Sequence, residues 1–139
     1  MMKKAVITIC SNQSNDPGEK IEVTTVGKFT NNDGLYEAVY EETEISGMEG
    51  TTTTVRINND TVTLIREGTT STTMEFKKNN SSVVLYNTPY GMMEFKVTTK
   101  QLKINVDECG GDILIEYSLG VAGQDPLNTK LSLSVKVHN

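Results

Sequence analysis

Arg66 stands where an apolar residue is expected. In Thr61-Val62-Thr63-Leu64-Ile65-Arg66-Glu67-Gly68, the side chains of Val62, Leu64 and Arg66 share one face, because strand side chains alternate with period two. An arginine that continues an apolar face needs a partner or a route to water. The segment from Tyr36 offers one, since Tyr36, Ala38, Tyr40 and Glu42 also share a strand face. If both faces point into one interior, Glu42 and Arg66 can form a carboxylate–guanidinium pair, with the tyrosine hydroxyls completing the network. Inside an apolar cup, that pair could hold a ligand's polar head or carboxylate. The competing structural reading is a pair that closes a barrel mouth, or an Arg66 that snorkels outward.

Other residue sets carry weaker chemistry. Met74 and Phe76 share a face, as do Met93 and Phe95, and Met48, Met92 and Phe29 add to this soft apolar set. Methionine lines adaptable pockets, but small barrels also fill themselves with such side chains, and the filled core is the simpler reading. In Thr88-Pro89-Tyr90-Gly91, proline withholds a backbone donor and glycine permits a sharp path, so Tyr90 sits at a strand corner and could shape a pocket rim. The acidic run Glu37, Glu41, Glu42 and Glu44 could do acid–base work only in a cleft, and Glu37 and Glu41 alternate with Val39 on a face expected to be solvated.

No catalytic residue is assigned, and no metal or cofactor is expected. His138, the sole histidine, is next to the end of the sequence, and Cys10 and Cys109 are too far apart for a Cys-x-x-Cys motif. Neither a phosphate-cradling glycine loop nor a serine nucleophile elbow is present.

The elements that must position these residues are strands. No window sustains a helical period, and apolar alternation recurs between turn residues at short spacing. Strands are predicted near 3–11, 19–31, 35–45, 50–58, 61–67, 71–78, 82–88, 91–98, 101–107, 112–122 and 129–138, with some neighbours joined as one bent strand. Turns are expected at Asn31-Asn32-Asp33-Gly34, Asn58-Asn59-Asp60, Lys78-Asn79-Asn80-Ser81, Gly110-Gly111-Asp112 and Gly123-Gln124-Asp125-Pro126, with a looser one between Gly47 and Gly50. Short connections favour an antiparallel meander, and closing it into a barrel removes exposed edges. A β-sandwich is the competing solution. The 139 residues suit one domain over 1–139.

Composition narrows the partners. Hydrophobic residues make up 36%, which fits strands with one buried face. The net charge of -5 and the lack of a basic stripe argue against nucleic acid. The first apolar run, Ala5-Val6-Ile7-Thr8-Ile9-Cys10, is too short to span a membrane as a helix and lacks a clean cleavage region. A cytoplasmic protein with two reduced thiols and no membrane partner is therefore expected.

The order of segments resembles a known family. Tyr36-Glu37-Ala38-Val39-Tyr40-Glu41-Glu42 precedes Gly50 and Thr53, Val55 and Ile57. Then come Val62-Thr63-Leu64-Ile65-Arg66-Glu67-Gly68, Met74-Glu75-Phe76, Tyr86-Asn87-Thr88-Pro89-Tyr90-Gly91, Val97-Thr98-Thr99, Gly110-Gly111 and Ile115-Glu116-Tyr117. This succession resembles the YwiB-like, DUF1934 family of small bacterial proteins, over nearly the whole chain. The resemblance implies a calycin-like, lipocalin-shaped barrel of about eight to ten strands in a Firmicutes-type cytoplasm. It implies no activity. The chain has no Trp and so lacks the Gly-x-Trp signature of true lipocalins.

Three functions compete. The first is a non-enzymatic barrel that binds a small apolar or amphipathic molecule through Tyr36, Tyr40, Glu42, Arg66, Met74, Phe76 and Tyr90. The second is a solid barrel that meets a protein partner or forms a homodimer. The third, ranked last, is an enzyme using Tyr, Glu and Arg at the barrel mouth.

Overall fold

Tight turns set the architecture. Between Asn32 and Leu35, Asp33 and Gly34 both take positive φ, 51° and 86°, as a two-residue hairpin turn requires. This joins β2 (Asp16–Asn32) to β3 (Leu35–Glu41) in antiparallel register. The computed structural model describes residues 2–13, 16–43, 48–121 and 126–138. Glu44, Gly47 and most of the expected turn at Gly123-Gln124-Asp125-Pro126 lie outside them.

The other strands are β1 (Met2–Gln13), β4 (Thr51–Ile57), β5 (Thr61–Gly68), β6 (Thr72–Lys77), β7 (Ser81–Thr88), β8 (Gly91–Asp107), β9 (Gly110–Gly120) and β10 (Leu127–Val137). All ten form one antiparallel sheet in the order β6-β5-β4-β3-β2-β1-β10-β9-β8-β7. Each strand therefore pairs with its sequence neighbours, except at the seam between β6 and β7, and β1 pairs with β10. This is the expected meander barrel, and the sandwich alternative is excluded because no second sheet exists among the described strands.

Closure is incomplete between β6 and β7. A single bridge, Ser71 with Asn87, joins the two sides, with both backbone hydrogen bonds at 2.9 Å. The Thr72 hydroxyl donates to the Leu85 carbonyl at 3.2 Å, where a ladder bond would otherwise form. At the far end, the turn before β7 is clasped to β8: Asn79 N–H donates to Thr99 O, and Thr99 N–H to Asn80 O.

One sequence expectation is made specific, the joining of neighbouring segments into a bent strand, and one changes. The segments 91–98 and 101–107 are one strand, β8, whose pairing with β9 shifts between Thr99 and Gln101. A bulge bends a strand without ending it, so the polar Thr-Thr-Lys-Gln run looked like a break. The reversal expected at Gly110-Gly111-Asp112 lies at Glu108 and Cys109, and both glycines are already in β9. Their positive φ values, 102° and 148°, serve close backbone approach, because a Cβ on Gly111 would collide with Asn105 and Val106.

The barrel interior is packed. Phe29, Phe76, Ile7, Ile57, Val55, Val62 and Val97 are almost wholly shielded from solvent. Ala5, Ala38, Leu64, Met74, Val84, Ile113, Ile115, Leu133 and Val135 complete the core around them. Alternating large and small side chains from facing strands pack against one another in this core.

Candidate functional site

Cross-strand register sorts the inward residues of β3–β6 into rows. One row is Tyr36, Ile57, Val62 and Phe76, and the next is Ala38, Val55, Leu64 and Met74. The third is Tyr40, Thr53, Arg66 and Thr72. The apolar rows give way to a polar one at the barrel end where Glu42 follows β3. Directly opposed residues on a sheet face are close enough to interact, so the row itself assembles the site.

Arg66 and Glu42 do face the same space. Their side chains are only 16% and 5% exposed, with Arg66 Nε 3.9 Å from Glu42 Oε2. That separation is an ion pair but too long for a hydrogen bond. The same carboxylate oxygen instead accepts a 2.5 Å hydrogen bond from the Thr53 hydroxyl. Arg66 Nη1 donates to the Tyr86 hydroxyl at a long 3.4 Å. Arg66 Nε is buried with no hydrogen-bond partner. A guanidinium carries five N–H donors, so this one is charge-balanced yet poorly satisfied.

Tyrosines surround the pair. Tyr40 is buried, and its hydroxyl interacts with both Glu42 and Thr53. Burial first, and then the negative charge of Glu42, push its pKa well above the usual phenol range, while Arg66 pulls in the opposite direction. Burial also raises the pKa of Tyr117, against the lowering influence of Arg66 and of a hydrogen bond with Thr129. Tyr117 packs on Phe76, with ring centroids 4.9 Å apart, and so links the apolar floor to the polar end. Thr99 and Thr129 are its neighbours across β8 and β10, and the buried Thr99 hydroxyl has no hydrogen-bond partner.

Soft apolar groups complete the mouth. The Tyr86 hydroxyl donates to Met48 Sδ at 3.6 Å, and the Tyr86 ring meets Phe95 edge-on at 5.8 Å. Met93 pairs with Tyr86 and shares the inward parity of Phe95 and Val97, yet is 48% exposed. Met93 lies beyond Lys96, where β8 no longer pairs with β9, and this leaves the inward-parity methionine half in solvent.

The proposed site residues divide accordingly. Tyr40, Glu42 and Arg66 are brought together. Tyr36 belongs two rows deeper, where it stacks on Phe29 at 5.7 Å, because two rows of alternation separate it from Tyr40. Met74 and Phe76 are core residues. Tyr90 is one of two turn residues between Thr88 and Gly91, and is 99% exposed. On the outer face, Glu37 pairs with Arg56 at 2.7 Å, and Glu41 accepts from Thr52, as expected of solvated carboxylates. Cys10 and Cys109 are free thiols. Among the described residues, no three His, Cys, Asp or Glu side chains gather as a metal site would need.

Sequence reasoning missed Thr53, Tyr86 and Tyr117, and placed Met48 only in the soft apolar set. Parity alone could have turned Tyr86 inward with Val84, and Tyr117 inward with Ile115. What parity could not supply was the closure that sets β7 and β9 across from Arg66.

Fold and site together define a nearly closed, ten-stranded up-and-down β-barrel with an apolar floor and a polar mouth. The chain belongs to the family described as "Domain of unknown function (DUF1934)", whose model matches residues 6–133. It is 28% identical over 122 residues to the "Uncharacterized beta-barrel protein YwiB" of Bacillus subtilis (strain 168), covering 87% of this chain and 80% of that protein. The crystal structure of the ywiB protein from Bacillus subtilis superposes with a TM-score of 0.86 at 20% identity, over 99% of this chain and 94% of that one. That likeness shows the shared barrel fold.

Proposed function

We propose that this protein is a non-enzymatic, lipocalin-like binding barrel of a Firmicutes-type cytoplasm, which holds a small, partly apolar molecule at its polar mouth. One observation carries the reading: Arg66 is largely withdrawn from solvent, and its buried Nε has no acceptor. A buried donor left unmade costs about 1–3 kcal/mol, so an acceptor from a ligand would gain more there than at a surface arginine. Glu42 narrows the ligand class. It already balances the arginine's charge, so a ligand carboxylate at Arg66 would also meet the Glu42 carboxylate. A neutral acceptor such as an amide, carbonyl or hydroxyl suits the site better. Met48, Tyr86, Met93 and Phe95 supply the apolar side of the cup.

The packed interior limits how deep such a ligand goes. Met74 and Phe76 act as floor rather than lining, and the ligand sits above them. Charged and polar outward residues on β2–β6, among them Lys28, Glu37, Arg56 and Glu75, support a water-facing barrel. The same packed core favours a second reading, a solid barrel whose work is done on its outer surface.

Native mass spectrometry of protein purified from the cell that produces it tests the first reading. A retained mass of a few hundred daltons, lost in Arg66→Leu, is expected. A bare chain under gentle conditions for both proteins would leave the solid-barrel reading in its place.

A further inference from the structure

The outer face of the β7–β8 hairpin carries uncovered apolar side chains. Val83, Leu85 and Met92 are 64%, 57% and 64% exposed. The pairing of β8 with β9 ends at Lys96 and Gly120, so the hairpin beyond that point stands clear of its neighbour. Register places Lys96 opposite Val83 and Glu94 opposite Leu85. Both charged residues are exposed, and neither belongs to an ion pair among the described residues. The face is thus a two-by-two grid, with an apolar column of Val83 and Leu85 beside a charged column of Lys96 and Glu94.

We propose that this face joins two copies of the chain about a two-fold axis. The axis lies in the plane of the face, perpendicular to the strands, midway between the two cross-strand pairs. Rotation then sets Val83 on the partner's Leu85 and Glu94 on the partner's Lys96, each contact occurring twice. The alternative axis, along the strands, would press Glu94 onto the partner's Leu85 and bury a charge against an apolar side chain. The charge pattern therefore selects one arrangement, and it is complementary to itself rather than to an arbitrary surface. This interface lies on the outside of the barrel and does not depend on the ligand reading of the mouth.

The patch is small, so the dimer belongs with interfaces that bury less than about 1,200 Å² in total and associate weakly. Sedimentation velocity on the full chain, from roughly 10 μM to roughly 1 mM, reads the effect where weak association falls. The wild type should pass from monomer to dimer across this range. Glu94→Lys sets lysine on lysine twice and should weaken dimerisation about tenfold or more. Glu94→Lys combined with Lys96→Glu restores opposite charges and should recover the dimer. Lys96→Glu alone repeats the single-variant test if Glu94→Lys misfolds, and thermal melts establish that each variant is folded. A wild type that stays monomeric throughout overturns the proposal. So does a single charge reversal that leaves the association unchanged, or a double variant that stays as weak as either single one.

Discussion

Two rows on the same four strands follow opposite rules. Tyr36, Ile57, Val62 and Phe76 form a dry floor, whereas Tyr40, Thr53, Arg66 and Thr72 form a polar end four residues forward along β3 and β5 and four back along β4 and β6. Both rows have the same parity and are largely withdrawn from water. What differs is the need for partners. The floor needs only contact, and packing satisfies it. The polar row needs hydrogen-bond partners for every group, and Arg66 Nε lacks one. Strand alternation thus decides which side chains turn inward, while position along the barrel decides whether the interior stays closed.

The contrast can be broken most strongly at the floor. Phe76→Ala removes a ring with no solvent exposure and should cost about 3–5 kcal/mol in urea unfolding. The polar row should answer differently. Arg66→Leu leaves the nearly buried Glu42 carboxylate without its counter-charge and should cost about 3 kcal/mol. Replacing both by leucine should cost far less than the sum of the single changes, because no orphaned charge remains. A floor pair such as Leu64→Ala with Phe76→Ala would show no such rescue.

Alkaline titration sharpens the same distinction. Tyr40 and Tyr117 hold their protons above the ordinary phenol value of 10.0, through burial first in each case. The unfolded chain therefore loses protons first, and stability falls as pH rises above that value. Each tyrosine contributes a slope of up to about 1.4 kcal/mol per pH unit. Melting temperatures should drop above pH 10 in the wild type and less steeply in Tyr40→Phe. The smallest effect belongs to Tyr86→Phe, which loses a long bond to Arg66 and one to Met48, and should cost at most about 1 kcal/mol.

Much of the barrel could be read from the sequence. Asp33-Gly34 marks its hairpin, and alternation through Val62, Leu64 and Arg66 gives the correct inward face. The bulge at Thr99/Gln101 was not legible, because an extra residue in a polar run looks like a turn. The site was legible in part. Glu42 and Arg66 could be joined by parity, since a long charged side chain on an inward face needs a counter-charge. Tyr36 could not be separated from Tyr40 on that basis, because parity gives the face and not the depth. Tyr86 meets Arg66, and Tyr117 comes under its charge, only through the curvature that brings β7 and β9 around to β5, a global property that no local pattern encodes.

Side-chain NMR of Arg66 tests the open polar mouth most directly. Its Nε–Hε resonance reports whether the buried donor gains an acceptor. Hexanamide and hexanoate offer the same apolar tail with a neutral or an anionic head. Saturable movement of the Arg66 resonance with hexanamide, stronger than with hexanoate and accompanied by shifts at Met93, is the predicted result. An Arg66 resonance unmoved by either compound, or one that answers hexanoate more strongly, would contradict the account.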